Sequence, residues 1–505
     1  MLYWLATMMP AVAAAKYEVV IGLEVHAQLT TRSKVFCRCG TDYSGAAPNT
    51  HVCPVCMGMP GVLPVINSQA VAKAIMTGLA LNCEIPERAK FDRKNYPYPD
   101  LMKGYQISEY DMPLCRNGWL DVEAEGESRR IRVQRVHLEE DTARLIHRTD
   151  GSGESYSLLD INRAGMPLME IVTEPDARSP AEAIAYLTKL RQILRYLGVS
   201  DANMEEGSFR CEPNLSLRLK GTTALGSKVE LKNLNSFRSA LRGMEFEVER
   251  QARILDEGGH VASETRGWRE ETNGTASQRS KELAHDYRYL PEPDLPPLAI
   301  SRSQVEELRQ ALPELPDARR ARFADDYGLT PYEANLLTES RARADYLEAA
   351  VSAPGGLSPE ARQAHAKQVS NWLLGELSRL LNAANLEPSD SRVGAGQLSA
   401  LVSLVEAGKI SGTAAKEVLG VMFESGADAA AIIAERGLGR IEDGDIVAAA
   451  ARKVLAANPK AIGDYRAGKE QALKFLVGQV MKETRGRANA ATVQALLQSE
   501  LAAQG

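Results

Sequence analysis

The segment GLEVHAQL, residues 22–29, places Glu24 and His26 two residues apart in an otherwise apolar stretch. Apolar and polar residues alternate from Tyr17 to Leu29, a pattern that predicts a β-strand with one buried face. Glu24 and His26 then project from the same face, roughly 6–7 Å apart. Such a pair could bind one cation or phosphate. For two residues alone, the wetted polar face of a half-buried strand is the simpler explanation.

Further carboxylates stand at the ends of other short apolar segments. VHLEED contains Glu139 and Glu140, GMPLMEIVTEPD contains Glu170, and MEEGSFRCEPN contains Glu212. Any one of these segments alone is explained by a solvated acidic loop. Carboxylates at several strand ends, together with an imidazole, are what a hard divalent cation and its bound phosphates require.

A basic and aromatic run, FDRKNYPYPDLMKGYQISEYD, lies between these acidic segments and includes Arg93, Lys94 and Lys103. Cations of this kind bind phosphate oxygens, and tyrosine rings stack on bases or ribose. The chain has no GxxxxGK[ST] phosphate loop and no protein-kinase signature set. A nucleotide would therefore bind in a site peculiar to this fold.

Four of the seven cysteines form two close pairs in CRCGTDYSGAAPNTHVCPVC. Pairs of thiols on two tight turns are typical of a tetrahedral zinc site, and four protein ligands leave no open position. We therefore predict a structural Zn²⁺ bound by Cys37, Cys39, Cys53 and Cys56. The three other cysteines are expected to be small core residues.

The chain has 505 residues and a formal net charge of -6. Its length implies several domains, and its charge restricts any RNA contact to a local basic patch. No apolar run is long enough to span a membrane, and we expect a cytoplasmic protein. The pattern predicts an α+β fold: an N-terminal extension, 1–16, expected to be disordered; an α+β domain with the zinc site, 17–295; and all-α middle and tail domains, 296–388 and 389–505.

One helix is especially well marked. SPAEAIAYLTKLRQILRYLGV begins with Ser179 as the N-cap and Pro180 at the first helical position, and it ends at Gly198. The end of the tail domain is basic in an otherwise acidic protein. The default explanation for such a run is a solvated helix surface.

Nine segments together closely resemble the B subunits of the tRNA-dependent amidotransferases, from about Tyr17 to the C-terminus. They are GLEVHAQL, FDRKNYPYPD, GYQIS, HLEEDTA, NRAGMPLMEIVTEPD, MEEGSFRCEPN, ELKNLNSF, DYRYLPEPDL and GQVMKETRGRANAATV. Departures from the family pattern include Glu212 in place of an aspartate and Pro97 in place of an aromatic residue.

The resemblance implies that ATP and Mg²⁺ are used to phosphorylate the side-chain carboxylate of Glu-tRNA(Gln) or Asp-tRNA(Asn), and that ammonia then displaces the phosphate. It implies that residues 17–295 form a mixed-sheet, cradle-type catalytic domain. It also implies a glutamine-hydrolysing, ATP-dependent carbon–nitrogen ligase. Magnesium would be held by Glu24, His26, Glu139, Glu140 and Glu170, with His26 as the least usual ligand. Glu212 and Lys94 would complete the catalytic set, and Arg93 and Lys94 would bind the nucleotide.

The chain lacks the Gly/Ser-rich amidase signature, so a partner amidase (glutaminase) has to supply ammonia, and the resemblance implies a small third partner that braces the pair. The family's YqeY-like tail grips the tRNA body. Here that contact would use Lys474, Lys482, Arg485 and Arg487, with Gly478 allowing close approach to the RNA backbone. The alternative is a non-catalytic tRNA-binding scaffold whose carboxylates are structural.

Overall fold

The computed structural model describes residues 16–280, 287–441, 444–484 and 486–503. The chain divides into two compact units, Met1–Leu315 and Pro316–Gly505. All but the last residue of the expected N-terminal extension lies outside the described residues. The finer division at residues 295 and 388 stays a prediction.

The first unit contains the strands. In chain order they are β1 (Tyr17–Gln28), β2 (Arg88–Ala89), β3 (Asp92–Asn95), β4 (Tyr105–Ser108), β5 (Cys115–Ala124), β6 (Glu127–Glu140), β7 (Arg144–Thr149), β8 (Ser155–Asp160), β9 (Pro167–Thr173), β10 (Phe209–Leu219), β11 (Val229–Lys232), β12 (Glu264–Arg269), β13 (Gly274–Ser280), β14 (Leu290–Pro291) and β15 (Leu298–Ala299).

Eight of these strands form one sheet in the order β13-β12-β11-β10-β1-β9-β6-β5. The β11–β12 pair is parallel and the other neighbours are antiparallel, so the sheet is mixed. Smaller sheets are β14-β3-β4, β15-β2 and β7-β8. Together with the helices, this arrangement confirms the predicted α+β class.

In the described part of this unit, four α-helices accompany the sheet: α1 (Ser68–Ala80), α2 (Pro180–Tyr196), α3 (Phe237–Asp256) and α4 (Arg302–Gln310). The predicted start of α2 is confirmed, because the Ser179 hydroxyl accepts a hydrogen bond from the backbone N–H of Glu182 at 3.2 Å. Alternate residues of β1, including Leu23 and Val25, are buried in the core shared with these helices. The intervening residues, including Glu24 and His26, therefore occupy the other face of the sheet.

The second unit is helical, as predicted for this half of the chain. Its α-helices are α5 (Pro316–Tyr327), α6 (Pro331–Leu337), α7 (Arg341–Ser352), α8 (Pro359–Trp372), α9 (Ser378–Ala384), α10 (Ala395–Glu406), α11 (Gly412–Ser425), α12 (Ala429–Arg436), α13 (Gly444–Ala457), α14 (Pro459–Arg466), α15 (Glu470–Glu483) and α16 (Ala490–Ala503). A π-helical turn, Leu373–Leu377, joins α8 to α9.

Two apolar cores stabilise this unit. One extends from Phe323 in α5 to Ile432 in α12, and the other from Val447 in α13 to Leu501 in α16. Among the described residues, none of the helices has the length and apolar character needed to cross a membrane.

Candidate functional site

Three predicted residues meet on the face of the large sheet that is opposite to the apolar core. The Nε2 atom of His26 lies 3.4 Å from Oε1 of Glu139 and 3.5 Å from Oε2 of Glu170. They come from three neighbouring strands, since β9 lies between β1 and β6 and Glu170 pairs with His26 across the β1–β9 ladder. We call His26, Glu139 and Glu170 the imidazole cluster; its candidate ligand atoms all lie within 4.8 Å of one another.

The opposite charges in the imidazole cluster stabilise one another. Burial alone would lower the pKa of His26, but hydrogen bonds to Glu139 and Glu170 raise it to about 10. Burial opposes ionisation of Glu170, yet His137 and His26 hold its pKa well below the ordinary value. Burial also disfavours the charged form of Lys94, but Glu139, Tyr289 and Glu170 raise its pKa. The predicted Lys94 thus supplies a positive charge beside this cluster.

A second group, the triple-carboxylate cluster, consists of Glu24, Glu212 and Glu230, whose oxygens also lie within 4.8 Å of one another. Glu24 and Glu212 are directly paired across β1 and β10, and Glu230 extends the group to β11. Lys232 Nζ contacts Glu212 Oε2 at 2.8 Å and Glu230 Oε1 at 3.2 Å. Burial raises the pKa of Glu24, followed by repulsion from Glu170, Glu212 and Glu230. A bound cation would relieve this repulsion.

Glu230 is a site residue that sequence reasoning missed. It lies in ELKNLNSF, which contributes to the family resemblance, but the sequence predicts no site residue in that segment. Glu230 lies opposite Asn214 of β10, which itself lies opposite Gly22 of β1. The alternation of VEL in β11 was the only local signal, because the partner carboxylates are distant in sequence.

Two predicted residues lie away from both clusters. Glu140 is the neighbour of Glu139 on β6, and successive side chains of a strand point to opposite faces. Its carboxylate binds Lys103 and accepts a hydrogen bond from the Ile107 backbone N–H at 2.8 Å. Arg93 forms two hydrogen bonds with Glu292, at 2.8 and 2.9 Å. The structure therefore brings neither Glu140 nor Arg93 into the two clusters.

The donor sets of both clusters fit a hard divalent cation. Carboxylate oxygens are the preferred protein ligands of Mg²⁺, which ordinarily keeps several waters and completes its shell with substrate phosphates. The triple-carboxylate cluster offers oxygen donors alone, whereas the imidazole cluster adds one nitrogen. A histidine ligand also suits Mn²⁺. Because β1 contributes Glu24 to one group and His26 to the other, the two groups are neighbours on the same surface.

The four predicted zinc ligands converge. The sulfur atoms of Cys37, Cys39, Cys53 and Cys56 lie within 4.8 Å of one another, and we call these four residues the cysteine cluster. Tetrahedral zinc with Zn–S of about 2.3 Å needs sulfurs about 3.8 Å apart, so this arrangement fits. The backbone N–H of Cys53 donates to the Cys56 sulfur at 3.2 Å. A hydrogen bond from Cys37 lowers the pKa of Cys56, which favours the thiolate that a metal binds.

The remaining cysteines behave as expected. The side chains of Cys83, Cys115 and Cys211 are buried in the core of the first unit. They do not belong to the group formed by Cys37, Cys39, Cys53 and Cys56, and they have the small, apolar role that the sequence predicted.

The predicted RNA-binding cations of the tail have different surroundings. Lys474 and Lys482 are exposed on α15, two turns apart and with exposed Gly478 between them. Arg487 donates to the backbone carbonyl of Gly437 at 2.9 Å, so it joins two segments of its own unit. Arg485 lies outside the described residues. The structure adds Phe475, an exposed aromatic ring beside Lys474.

Fold and site together define a class: an α+β domain with two clusters of acidic side chains on one face of its large sheet, followed by an all-helical unit. Two family models match the chain, the GatB/GatE catalytic domain over residues 19–306 and the GatB domain over residues 359–501.

Curated relatives agree with these models. The chain is 55% identical to the aspartyl/glutamyl-tRNA(Asn/Gln) amidotransferase B subunit of Dehalococcoides mccartyi strain CBDB1, over 96% of this chain and 99% of the relative. It is 53% identical to the protein of the same name from Carboxydothermus hydrogenoformans and 54% to that from Moorella thermoacetica, again over 96% of this chain and 99% and 100% of the relatives. The chain belongs to the family of aspartyl/glutamyl-tRNA amidotransferase B subunits.

Proposed function

We propose that this chain activates the side-chain carboxylate of Glu-tRNA(Gln), Asp-tRNA(Asn) or both with ATP, and then amidates it with ammonia. The observation that carries this proposal is the pair of neighbouring acidic clusters on one sheet face, beside the partly buried ammonium of Lys94. Since its substrates belong to translation, we place the reaction in the cytoplasm.

The chemistry requires two displacements. In the first, an oxygen of the substrate carboxylate forms a bond to the γ-phosphorus of ATP while the bond from that phosphorus to the ADP oxygen breaks. In the second, ammonia forms the C–N bond, inorganic phosphate leaves with the C–O electron pair, and a proton leaves the nitrogen. The first step is needed because a carboxylate oxygen is a poor leaving group, whereas phosphate is a good one.

The residues of the two clusters supply position and charge. Mg²⁺, when bound, would neutralise the phosphate oxygens and hold them in line for transfer. His26, Glu139 and Glu170 would hold one cation, and Glu24, Glu212 and Glu230 would hold a second or a substrate-bound one. Lys94 would contact a phosphate oxygen, because its partly buried ammonium lies beside Glu139 and Glu170. These charges act through electrostatic stabilisation of the transferring group.

The aromatic side chains beside Lys94 suit the nucleoside or the acceptor end of tRNA. The Nζ atom of Lys94 lies 4.9 Å from the centre of the Tyr287 ring, which packs edge-on against Tyr96 at 5.7 Å. Rings of this kind bind bases without requiring a particular sequence. The exposed face of α15 would contact tRNA phosphates, with Lys474 and Lys482 as the cations.

Ammonia has to come from elsewhere, because the chain lacks an amidase signature. We propose that a glutamine-hydrolysing amidase supplies it and that a small third protein completes the heterotrimer. The cysteine cluster is assigned to structural Zn²⁺, since its four protein ligands leave no position for a substrate.

The test separates this enzyme from the scaffold alternative. The assembled complex, given γ-labelled ATP and Glu-tRNA(Gln) without glutamine, should release phosphate only when the tRNA is charged. Glu170→Gln should remove this activity while tRNA binding is retained. Phosphate release at the wild-type rate by the Glu170→Gln complex would favour the scaffold.

A further inference from the structure

Glu170 lies between two imidazoles. It occupies the strand β9, where it is directly opposite His26 of β1 on one side and His137 of β6 on the other. The Nε2 atom of His137 is 3.3 Å from Oε2 of Glu170 and 3.9 Å from Oε2 of Glu139. His26 is one of the three candidate ligands, whereas His137 does not belong to that group.

The surroundings of His137 fix which ring nitrogen carries the hydrogen. Its side chain is only 3% exposed, and among the described residues its Nδ1 atom has no hydrogen-bond partner. A hydrogen on Nδ1 would be a buried donor without an acceptor, which is unfavourable, whereas a hydrogen on Nε2 points to a carboxylate. We therefore place the hydrogen on Nε2, which lies 3.3 Å from Oε2 of Glu170 and can donate to it.

We propose that His137 is a positioning residue of the cation site: its Nε2–H holds the Glu170 carboxylate in the orientation that the metal requires. This inference rests on the proposed cation-binding role of His26, Glu139 and Glu170. Ligating carboxylates generally need such a hydrogen-bond partner, and loss of one typically weakens metal binding about 10- to 100-fold. Without His137, the Glu170 carboxylate would lose its contact from β6 and retain the one from His26.

Two polar substitutions separate the hydrogen bond from mere space filling. Glutamine at position 137 carries an amide nitrogen about as far from the backbone as Nε2 of histidine, so His137→Gln should keep the bond to Glu170. Asparagine places its nitrogen near the position of Nδ1, so His137→Asn loses that bond. His137→Phe fills the volume and has no donor.

The measurement is Mn²⁺ binding to the full chain, followed by the electron paramagnetic resonance of free Mn²⁺, with Glu170→Gln defining binding at this site. We expect about 10- to 100-fold weaker binding in His137→Asn and His137→Phe, and near-wild-type binding in His137→Gln. In the assembled complex, the Mg²⁺ concentration for half-maximal activity should rise in His137→Asn, while kcat at saturating Mg²⁺ recovers.

The possible failures are distinguishable. Equal Mn²⁺ affinities of the wild type, His137→Asn and His137→Gln would overturn the positioning role and leave the proposed metal site intact. Wild-type Mn²⁺ binding that Glu170→Gln does not alter would overturn the metal site, and the positioning role with it. If His137→Phe does not fold, the comparison of asparagine with glutamine still decides.

Discussion

The cysteine cluster and the imidazole cluster gather their ligands in different ways. All four cysteines come from one short segment, CRCGTDYSGAAPNTHVCPVC, and the Cys53–Cys56 turn is closed by its own hydrogen bonds. His26, Glu139 and Glu170 come from three separate strands and meet only through the register of the large sheet. The first site depends on local turns, and the second depends on the whole domain.

This difference determines how far each site can be predicted from the sequence and how it should respond to substitution. A local site shows its ligand spacing in the sequence, and its metal should stabilise a small region. A site assembled from distant strands shows no such spacing in the sequence, and its charged residues are proposed here to act on a substrate rather than to hold the fold together. Substitutions should therefore affect stability at the cysteines and activity at the carboxylates.

The largest effect is expected at the cysteines. Cys53→Ser removes one of four thiolates, so zinc should be lost and the free energy of unfolding should fall by about 4 kcal/mol or more. Metal analysis and denaturant unfolding measure the two quantities. Cys83→Ser, which alters a buried core thiol, should keep its zinc. Zinc-free wild-type protein, freshly purified, would contradict the prediction.

Adjacent carboxylates of β6 provide the next contrast. Glu139→Gln should reduce tRNA-dependent ATP hydrolysis about 10²- to 10³-fold, because a charge beside the transferring phosphate is lost. Glu140→Gln alters the partner of Lys103 on the opposite face and should leave Mn²⁺ affinity unchanged. Isothermal titration with Mn²⁺ and phosphate release measure both. Equal loss of Mn²⁺ affinity in the two variants would mean that Glu140 also reaches the cation.

A smaller effect is expected in the tail. The double substitution Lys474→Ala and Lys482→Ala should lower the magnitude of the slope of log affinity for tRNA against log salt by about 1.4–1.8. The reason is that tRNA binding would then make two fewer phosphate contacts and release fewer counterions. Filter binding over a series of salt concentrations gives the slope. Lys416→Ala on α11 is the control, because that exposed lysine is near Glu376. The same slope in all three proteins would remove α15 from the RNA contact.

The smallest effect concerns Gly478, where a Cβ atom would meet nothing within 4 Å. Gly478→Ala should stabilise α15 by up to about 1 kcal/mol, because alanine favours a helix more than glycine does. It should also weaken tRNA binding if the RNA backbone approaches this point. Gly463→Ala on α14, where a Cβ atom is equally unobstructed, should stabilise its helix without weakening tRNA binding. Unchanged tRNA affinity in Gly478→Ala would contradict a close approach of the RNA backbone to this glycine.

Local signals in the sequence predicted local structure well. The alternation of β1, the Ser179 cap of α2 and the cysteine pairs each depend on neighbouring residues, and all three are present. The sequence also indicated that His26, Glu139 and Glu170 belong together, but it did so through family resemblance. Spacing alone could not show it, because the pairing of distant strands decides which carboxylates meet.

The division of the carboxylates into two clusters could not be predicted. Glu24 and His26 share a face and a strand, yet they join different groups, because β10 lies on one side of β1 and β9 on the other. Glu230 was missed for the same reason. The separation of Glu139 from Glu140 was more accessible, since consecutive strand residues face opposite ways once β6 is known to continue to Glu140.

Because Glu139 and Glu140 lie on opposite faces of β6, the number of residues in this strand determines which carboxylate lies on which face. Deleting one residue after the middle of β6 would exchange the two carboxylates between faces and disturb both surroundings at once. The β7–β8 hairpin that follows forms a small sheet of its own, with largely exposed side chains. Insertions and deletions among related chains should therefore collect in this hairpin and avoid the strand that precedes it.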